Sequence, residues 1–146
     1  MHINEVIVRW GLAELSGLVE EVGMKRPFAV ASDRWSHLDL PRAGRWRQVP
    51  TDRTREVADA ALGCDGLVAI GGGSAIDVAK AVSSATGLRL VSVPTTYSGA
   101  EWTLSFPIRD EARRVTGGGS GAHLAGIVYD PQLTLDLPRA ESGGPP

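Results

Sequence analysis

Residues 66–80 decide the fold, and they read Gly-Leu-Val-Ala-Ile-Gly-Gly-Gly-Ser-Ala-Ile-Asp-Val-Ala-Lys. The opening residues form an apolar run with the length and composition of a strand that is buried on both faces. Three glycines follow, and Ser74 then begins a stretch with apolar residues at helical spacing, which Gly87 ends. The segment therefore predicts a buried strand that turns sharply into a helix.

The same alternation extends to both sides of this segment. Apolar periodicity predicts strands near residues 3–9, 28–31 and 88–93, a helix over 12–22 and another that begins near Thr51 or Asp52, either of which can cap it. This order predicts an α/β fold, a Rossmann-like parallel sheet with flanking helices. Ser32 to Arg47 is short and interrupted by Pro41 and Gly44, so we expect one crossover helix to be shortened. The C-terminal region predicts a hairpin from 103–108 and 115–116, a flexible loop at 117–121 and a last strand at 127–129.

Composition bounds the class of protein. A chain of 146 residues is the size of one domain, and we expect residues 1–138 to form it, with 139–146 as a flexible tail. The net charge of -2 gives no basic surface for nucleic acid. There is no apolar run of membrane-spanning length and no signal-peptide pattern at the N-terminus. The single cysteine, Cys64, fits a reducing compartment, so we expect a cytoplasmic protein.

The three glycines admit two interpretations. Without side chains they let the backbone turn tightly and approach a ligand, and the amides and dipole of the following helix favour a phosphate. Alternatively, the loop is a tight turn with no ligand, in which Ser74 caps the helix and Asp77 completes a capping box. The pattern matches neither the G-x-G-x-x-G fingerprint nor the P-loop.

A second polar stretch follows the next predicted strand. Residues 93–101 read Val-Pro-Thr-Thr-Tyr-Ser-Gly-Ala-Glu, just past the carboxyl end of that strand, where ligands of open α/β sheets bind. The hydroxyls of Thr95, Thr96 and Ser98 could bind a ribose or a carboxamide. They could equally satisfy the backbone of their own turn.

Taken together, the two stretches resemble a known family. Gly-Gly-Gly-Ser-x-x-Asp-x-x-Lys followed by Val-Pro-Thr-Thr resembles the N-terminal nucleotide-binding domain of the iron-containing alcohol dehydrogenases, a domain of the dehydroquinate synthase type. The short loop with Tyr97 after the threonine pair is more similar to maleylacetate reductases than to the other members. Residues 127–135 resemble the segment that ends this domain.

The resemblance implies a nicotinamide cofactor, either NAD or NADP. By position, the pyrophosphate would lie on Gly71, Gly72, Gly73 and Ser74, and Asp77 would lie near the nicotinamide. Thr95, Thr96 and Ser98 would line the groove. Asp33 matches the position that senses the adenosine ribose, where a carboxylate favours NAD. Arg114 falls near a position where the family often has lysine.

Catalytic groups are harder to assign. The family continues as a helical domain that holds a divalent metal, and we expect that domain to be absent here. His2, His37 and His123 are singly placed, so we expect no metal site in this chain. Tyr97 with Glu101 could act as an acid and its partner, although binding or packing roles are open. His123 is a candidate acid or base, or a solvated loop residue.

Three hypotheses about function remain. The chain could be a truncated maleylacetate reductase-like oxidoreductase domain that lacks its metal site and works with a separate metal-bearing subunit. It could be a repurposed scaffold that binds a small acid or catalyses a metal-free isomerisation, cyclisation or dehydration. It could also be a non-catalytic remnant. We expect a small-molecule ligand and a homodimer, with neither nucleic acid nor membrane as a partner.

Overall fold

The computed structural model describes residues 5–135. Helix α3, the longest in that range, has 14 residues, and no helix described there is both long and apolar enough to cross a membrane. In chain order the elements are β1 (Ile7–Trp10), α1 (Leu15–Glu21), β2 (Pro27–Val30), β3 (Gly44–Trp46), α2 (Thr54–Ala60), β4 (Gly66–Gly71), α3 (Gly73–Thr86), β5 (Arg89–Pro94), β6 (Phe106–Arg109), β7 (Val115–Gly119), β8 (His123–Tyr129) and α4 (Pro131–Leu135).

Six of the strands form one parallel sheet. Their order is β1-β8-β5-β4-β2-β3, and every neighbouring pair runs in the same direction. The apolar strand β4 lies inside the sheet, between β2 and β5, and all six of its residues are buried. The predicted Rossmann-like α/β sheet is therefore confirmed.

Alternation along the strands divides the core into two layers. Val68 and Ile70 of β4 face the side that α1 covers, where Leu15 and Leu18 pack. Leu67 and Ala69, with the opposite parity, face α2 and α3. Since successive side chains of a strand point to opposite faces, a continuous apolar run is what a strand covered on both faces requires.

The segment from Ser32 to Arg47 contains a short 3-10 turn and β3 but no α-helix, so the predicted shortening of one crossover is confirmed. Strand β3 was not predicted, because three residues that include an arginine show no alternation.

The prediction that Thr51 or Asp52 caps the second helix was wrong. Helix α2 begins at Thr54, and Arg53 occupies the cap position without a side-chain hydrogen bond.

The predicted C-terminal hairpin is present, as β6 and β7 pair antiparallel in a separate two-stranded sheet. The expected flexible loop at 117–121 was partly wrong, since residues 117–119 belong to β7. Their lack of side chains makes room for the partner strand: a Cβ on Gly119 would lie 2.9 Å from the ring of Phe106. The predicted tail at 139–146 lies outside the described residues.

Two glycine substitutions test the packing of the sheet against α1. A Cβ on the buried Gly126 would lie 2.8 Å from Leu18 and 3.2 Å from the carbonyl oxygen of Ile7, so we expect Gly126→Ala to destabilise the fold by about 1–3 kcal/mol. Gly17 lies in α1 with nothing near its would-be Cβ, so Gly17→Ala should stabilise by about 0.5–1 kcal/mol. Urea unfolding measures both, and equal effects of the two changes would contradict this packing.

Candidate functional site

The glycine loop lies at the carboxyl edge of the sheet, between β4 and α3. Gly71 ends the strand with φ at 143°, a conformation that side chains rarely allow. Gly72 is the N-cap of α3, and no side chain caps the helix. The capping box of Ser74 and Asp77, which belonged to the alternative interpretation of the loop, is therefore not formed, because Ser74 already lies inside the first turn. The first amides of α3 consequently have no partner within the helix or from a cap.

The three glycines have different steric reasons to lack a side chain. Gly71 needs its unusual dihedral, and a Cβ on Gly72 would lie 3.0 Å from Cγ2 of Thr96. A Cβ on Gly73 would instead meet Ser98 at 3.6 Å, an ordinary contact, and the backbone there is unstrained. The fold thus accounts for two of the glycines and leaves Gly73, which opens onto the groove, without a structural requirement.

The threonine-rich loop packs directly on the glycine loop. The amide of Thr95 donates to the carbonyl of Gly71 at 2.9 Å, and Thr95 itself is buried. Thr96 lies over Gly72. Ser98 faces Gly73, and its hydroxyl accepts a hydrogen bond from the amide of Ala100 at 3.4 Å, so part of its capacity serves the turn. The structure brings both sequence motifs together at one edge.

These loops border a groove of about 390 Å³. Thr95 and Thr96 form part of one wall, and Ser32 and Trp35, from the segment after β2, form part of another. Its two basic lining residues are Arg34 and Arg113. The groove therefore combines free helix amides, hydroxyls and positive charge, which is the chemistry of an anion site.

Arg113 was missed by the sequence analysis. It lies in the turn between β6 and β7 with φ at 68°, and its guanidinium donates to Oγ of Ser74 at 3.2 Å. The neighbouring Arg114, which the resemblance had singled out, turns away and pairs with Asp110 at 3.0 Å. Two adjacent arginines in a hairpin carry no signal of which one reaches the groove, because that depends on the turn geometry.

Asp33 follows β2 at the same edge of the sheet. Its carboxylate is not isolated, because Nη1 of Arg47 lies 2.6 Å from Oδ1 of Asp33. Both side chains are more than half exposed. Asp33 is not among the residues that line the 390 Å³ groove, although its neighbours Ser32 and Arg34 are. The ribose-sensing role that the resemblance implies therefore stays a prediction, and the pairing with arginine changes what the carboxylate offers a ligand.

The partly buried Asp77 and the buried Lys80 form a polar pair behind the groove. Asp77 faces Ser74, Arg109 and the β6–β7 hairpin and is not among the residues that line the 390 Å³ groove. Burial raises the pKa of Asp77, although the charges of Lys80 and Arg109 oppose the shift. Nζ of Lys80 lies 4.0 Å from Asp77 and donates to the carbonyl of Ala100 at 2.9 Å and to Thr103 at 2.8 Å. Lys80 thereby fastens the loop after β5 to α3.

A second pocket of about 470 Å³ opens on the other side of β5. Tyr97 lines it and is 82% exposed, whereas Glu101 is buried. The hydrogen-bond partner of Glu101 is Tyr129, whose hydroxyl donates to Oε2 at 2.8 Å and accepts from Trp102 at 2.7 Å. Within the described chain, Oε1 of Glu101 is buried without a partner. The acid–partner geometry therefore involves Glu101 and Tyr129, and sequence spacing gave no sign of it.

The remaining candidates lie away from these pockets. His123 begins β8, and since all strands of the sheet are parallel, it lies at the edge opposite the glycine loop. Its amide donates to Oγ of Ser83 at 2.8 Å, and its side chain is exposed. Among residues 5–135, no group of three or more histidine, cysteine or acidic side chains is arranged to hold a metal ion.

A parallel sheet whose carboxyl edge carries a glycine loop and an uncapped helix defines a Rossmann-like α/β domain. Residues 5–124 match the family model of the iron-containing alcohol dehydrogenases, and the chain belongs to that family. It is 31% identical to maleylacetate reductase 1 of Cupriavidus pinatubonensis, over 92% of this chain and 43% of that protein.

Solved structures show the same fold. Maleylacetate reductase from Rhizobium sp. strain MTP-10005 superposes with a TM-score of 0.80 at 22% identity, over 97% of this chain and 45% of its own. Sulfoacetaldehyde reductase from Bifidobacterium kashiwanohense, solved in complex with NAD+, gives a TM-score of 0.74 at 20% identity, over 94% and 48%. The chain thus spans less than half the length of these proteins.

The phenol of Tyr129 provides a test of the second pocket. Burial, and then the hydrogen bond to Glu101 and the charge of that carboxylate, raise the pKa of Tyr129 from 10.0 to about 12. The unfolded chain therefore loses the Tyr129 proton at a lower pH than the folded chain does. The stability that protonated Tyr129 contributes is complete below pH 10 and is lost as the pH rises towards 12. In Tyr97→Phe, Tyr129 is the remaining tyrosine, and absorbance at about 295 nm, where tyrosinate absorbs, should report a raised pKa.

Adding Glu101→Gln to that variant should lower the pKa of Tyr129, because the carboxylate charge is removed. A Tyr129 pKa near its ordinary value in the folded Tyr97→Phe protein would contradict the pairing with Glu101.

Proposed function

We propose that this chain is the nucleotide-binding part of a maleylacetate reductase-like oxidoreductase and binds NAD(P)(H) in the 390 Å³ groove. The observation that carries the proposal is the uncapped start of α3 at Gly73. The fold does not require a glycine at this position, because a Cβ there would make only ordinary contacts. Open amides at a helix N-terminus and an unobstructed approach are what a pyrophosphate needs. The NAD+ complex of a structural relative supports the same ligand class.

The groove offers a place for each part of the cofactor. The amides of residues 73–75 would hold the pyrophosphate, and Arg113 would add a charge-assisted contact from the hairpin. The hydroxyls of Thr96 and Ser98 would line the path of the cofactor, while the buried Thr95 keeps the loop against Gly71. The turn at Asp33 would meet the adenosine ribose, because β2 is the neighbour of β4 in the sheet.

A bound nicotinamide supplies the hydride donor or acceptor of such a reaction. Residues 5–135 contribute binding and orientation. A metal that polarises a carbonyl oxygen would have to be held outside residues 5–135 or by another chain, since those residues contain no suitable group of ligands. The proposal therefore includes a metal-bearing partner segment or subunit. The free thiol Cys64 is consistent with the reducing cytoplasm as the place of action.

Large aromatic side chains around the second pocket support an association surface. Trp10 and Trp102 are 66% and 52% exposed, and Tyr97 and Leu104 are also open to solvent. Exposed apolar surface of this kind commonly marks a protein interface.

For the isolated chain we expect a homodimer through this surface. Sedimentation equilibrium at tens of micromolar, roughly the range of weak homodimers, should give twice the chain mass of 15.4 kDa. Trp102→Asp should shift the equilibrium to monomer, and a parent protein that is monomeric throughout would contradict the dimer.

The other two hypotheses, a repurposed scaffold for a metal-free step and a non-catalytic remnant, do not require a nicotinamide cofactor. Calorimetric titration of the purified chain with NADH and NADPH therefore separates them from the proposed function. Absence of binding by the folded protein would remove the proposal.

Gly73→Asp should stabilise the fold and weaken cofactor binding, and this combination tests whether the cofactor lies at residue 73. A carboxylate in the first turn of α3 interacts favourably with the helix dipole, so the variant should unfold with a free energy higher by roughly 0.3–1 kcal/mol. The same charge would repel the pyrophosphate, and we expect NADH binding to weaken at least tenfold, about the effect of losing one charge-assisted hydrogen bond. Thermal unfolding and calorimetry measure the two quantities.

Gly73→Asn is the matched control, since it adds the same bulk without the charge. The additional loss in the aspartate variant isolates electrostatic repulsion by residue 73. A stable Gly73→Asp protein that binds NADH as tightly as its parent would move the cofactor away from this loop.

A further inference from the structure

The segment that follows β2 includes strand β3 and carries an excess of positive charge. Between Ser32 and Gln48 the chain has four arginines and two aspartates, although its net charge is -2. Val30 of β2 pairs with Ala69 of β4, so the turn after β2 and the glycine loop lie side by side at the carboxyl edge. Ser32 and Arg34 line the same groove as Gly71 to Gly73. A dinucleotide held on the glycine loop would extend its adenosine ribose towards this turn.

Asp33 in this segment forms an ion pair with Arg47. The guanidinium of Arg47 lies 2.6 Å from its carboxylate, and the pair is largely exposed, so it contributes little to folding stability. A free carboxylate would accept hydrogen bonds from a ribose 2′-hydroxyl and repel a 2′-phosphate. A carboxylate that already accepts from arginine is a weaker partner for the hydroxyl and leaves a guanidinium beside it.

The other arginines strengthen the positive field. Arg45 donates to the carbonyls of Ala31 and Ser32 at 3.1 and 2.7 Å, and so fixes the backbone of the turn. Burial, and then the charges of Arg47 and Arg42, lower the pKa of Arg45 below its usual value, while Asp33 acts in the opposite direction. The guanidinium of Arg34 lies 5.4 Å from the ring centroid of Trp35, at the wall of the groove.

We propose that this segment binds the 2′-phosphate of NADPH, with Arg34, from the turn after β2, and Arg47, which follows β3, as the binding side chains and Arg45 of β3 as a positioning residue. The inference rests on the proposed function and reverses the preference for NAD that Asp33 alone indicates. Arginine suits the task because its planar guanidinium binds phosphate with two parallel hydrogen bonds. The phosphate dianion would compete with the Asp33 carboxylate for Arg47, while Arg34 and Arg45 balance the remaining negative charge.

The experiment is a set of equilibrium titrations of the full chain with NADPH, NADH, 2′,5′-ADP and 5′-AMP, followed by calorimetry. We expect NADPH to bind at least about tenfold tighter than NADH, the effect of a charge-assisted contact to one phosphate. The same order should hold for 2′,5′-ADP over 5′-AMP, which probes this segment without the nicotinamide. Arg47→Ala should weaken NADPH at least about tenfold and leave NADH within about twofold, because the freed Asp33 can accept from the ribose hydroxyl.

Arg9→Ala is the matched control. It breaks an exposed ion pair with Glu21 at 3.1 Å on β1, at the opposite side of the sheet, and should change neither affinity. Asp33→Asn is the second variant. It should retain or improve NADPH binding. If it instead weakens NADH binding and produces no preference for NADPH over NADH, Asp33 binds an unmodified ribose and the 2′-phosphate site is refuted.

Two outcomes overturn the inference and differ in what they say about the proposed function. If NADH binds as tightly as NADPH or tighter, or if Arg47→Ala weakens both equally, the 2′-phosphate site is refuted while the cofactor groove stands. If neither dinucleotide binds to the folded parent chain, the proposed function fails and the inference fails with it.

Discussion

The parallel pairing of β4 with β5 is the constraint on which the site depends. It delivers the glycine loop and the threonine-rich loop to the same edge, and one backbone hydrogen bond, from Thr95 to Gly71 at 2.9 Å, joins them beyond the last strand pair. Gly71 accepts that bond at the point where its positive φ ends the strand. Side chains from the two motifs then meet over α3, and the first turn of the helix faces the groove.

Buried charge supports this edge from behind. Lys80 would be costly to bury without partners, but its ammonium group reaches a carbonyl, a hydroxyl and the carboxylate of Asp77. These contacts join α3 to the loop after β5, which carries Glu101 and Trp102. The loop after β5 thus contributes residues to both pockets, one on either side of β5, so a displacement of this loop would alter both.

The sequence predicted the sheet and the position of the main motifs because both depend on local pattern. The apolar run of β4, the glycines and the stop at Gly87 are readable from neighbouring residues alone. The pairing of Glu101 with Tyr129, the reach of Arg113 to Ser74 and the engagement of Asp33 by Arg47 are not, since each joins residues far apart in the chain. Of the two interpretations of the glycine loop, the one with Ser74 as the cap was wrong, because Gly72, with its extended backbone, is the N-cap and the helix begins earlier. The short strand β3 failed because three residues are too few to show a period.

The unequal roles of the three glycines have a consequence for how such a loop would change over generations. Gly71 is held by the geometry of the turn and Gly72 by the nearness of Thr96, so selection for folding alone would retain both. Gly73 has room for a methyl group and would gain helix propensity from one. In a lineage that no longer used the groove, substitutions would therefore be tolerated at residue 73 while Gly71 and Gly72 were retained. The residue at position 73 alone would then indicate whether the loop still binds its ligand.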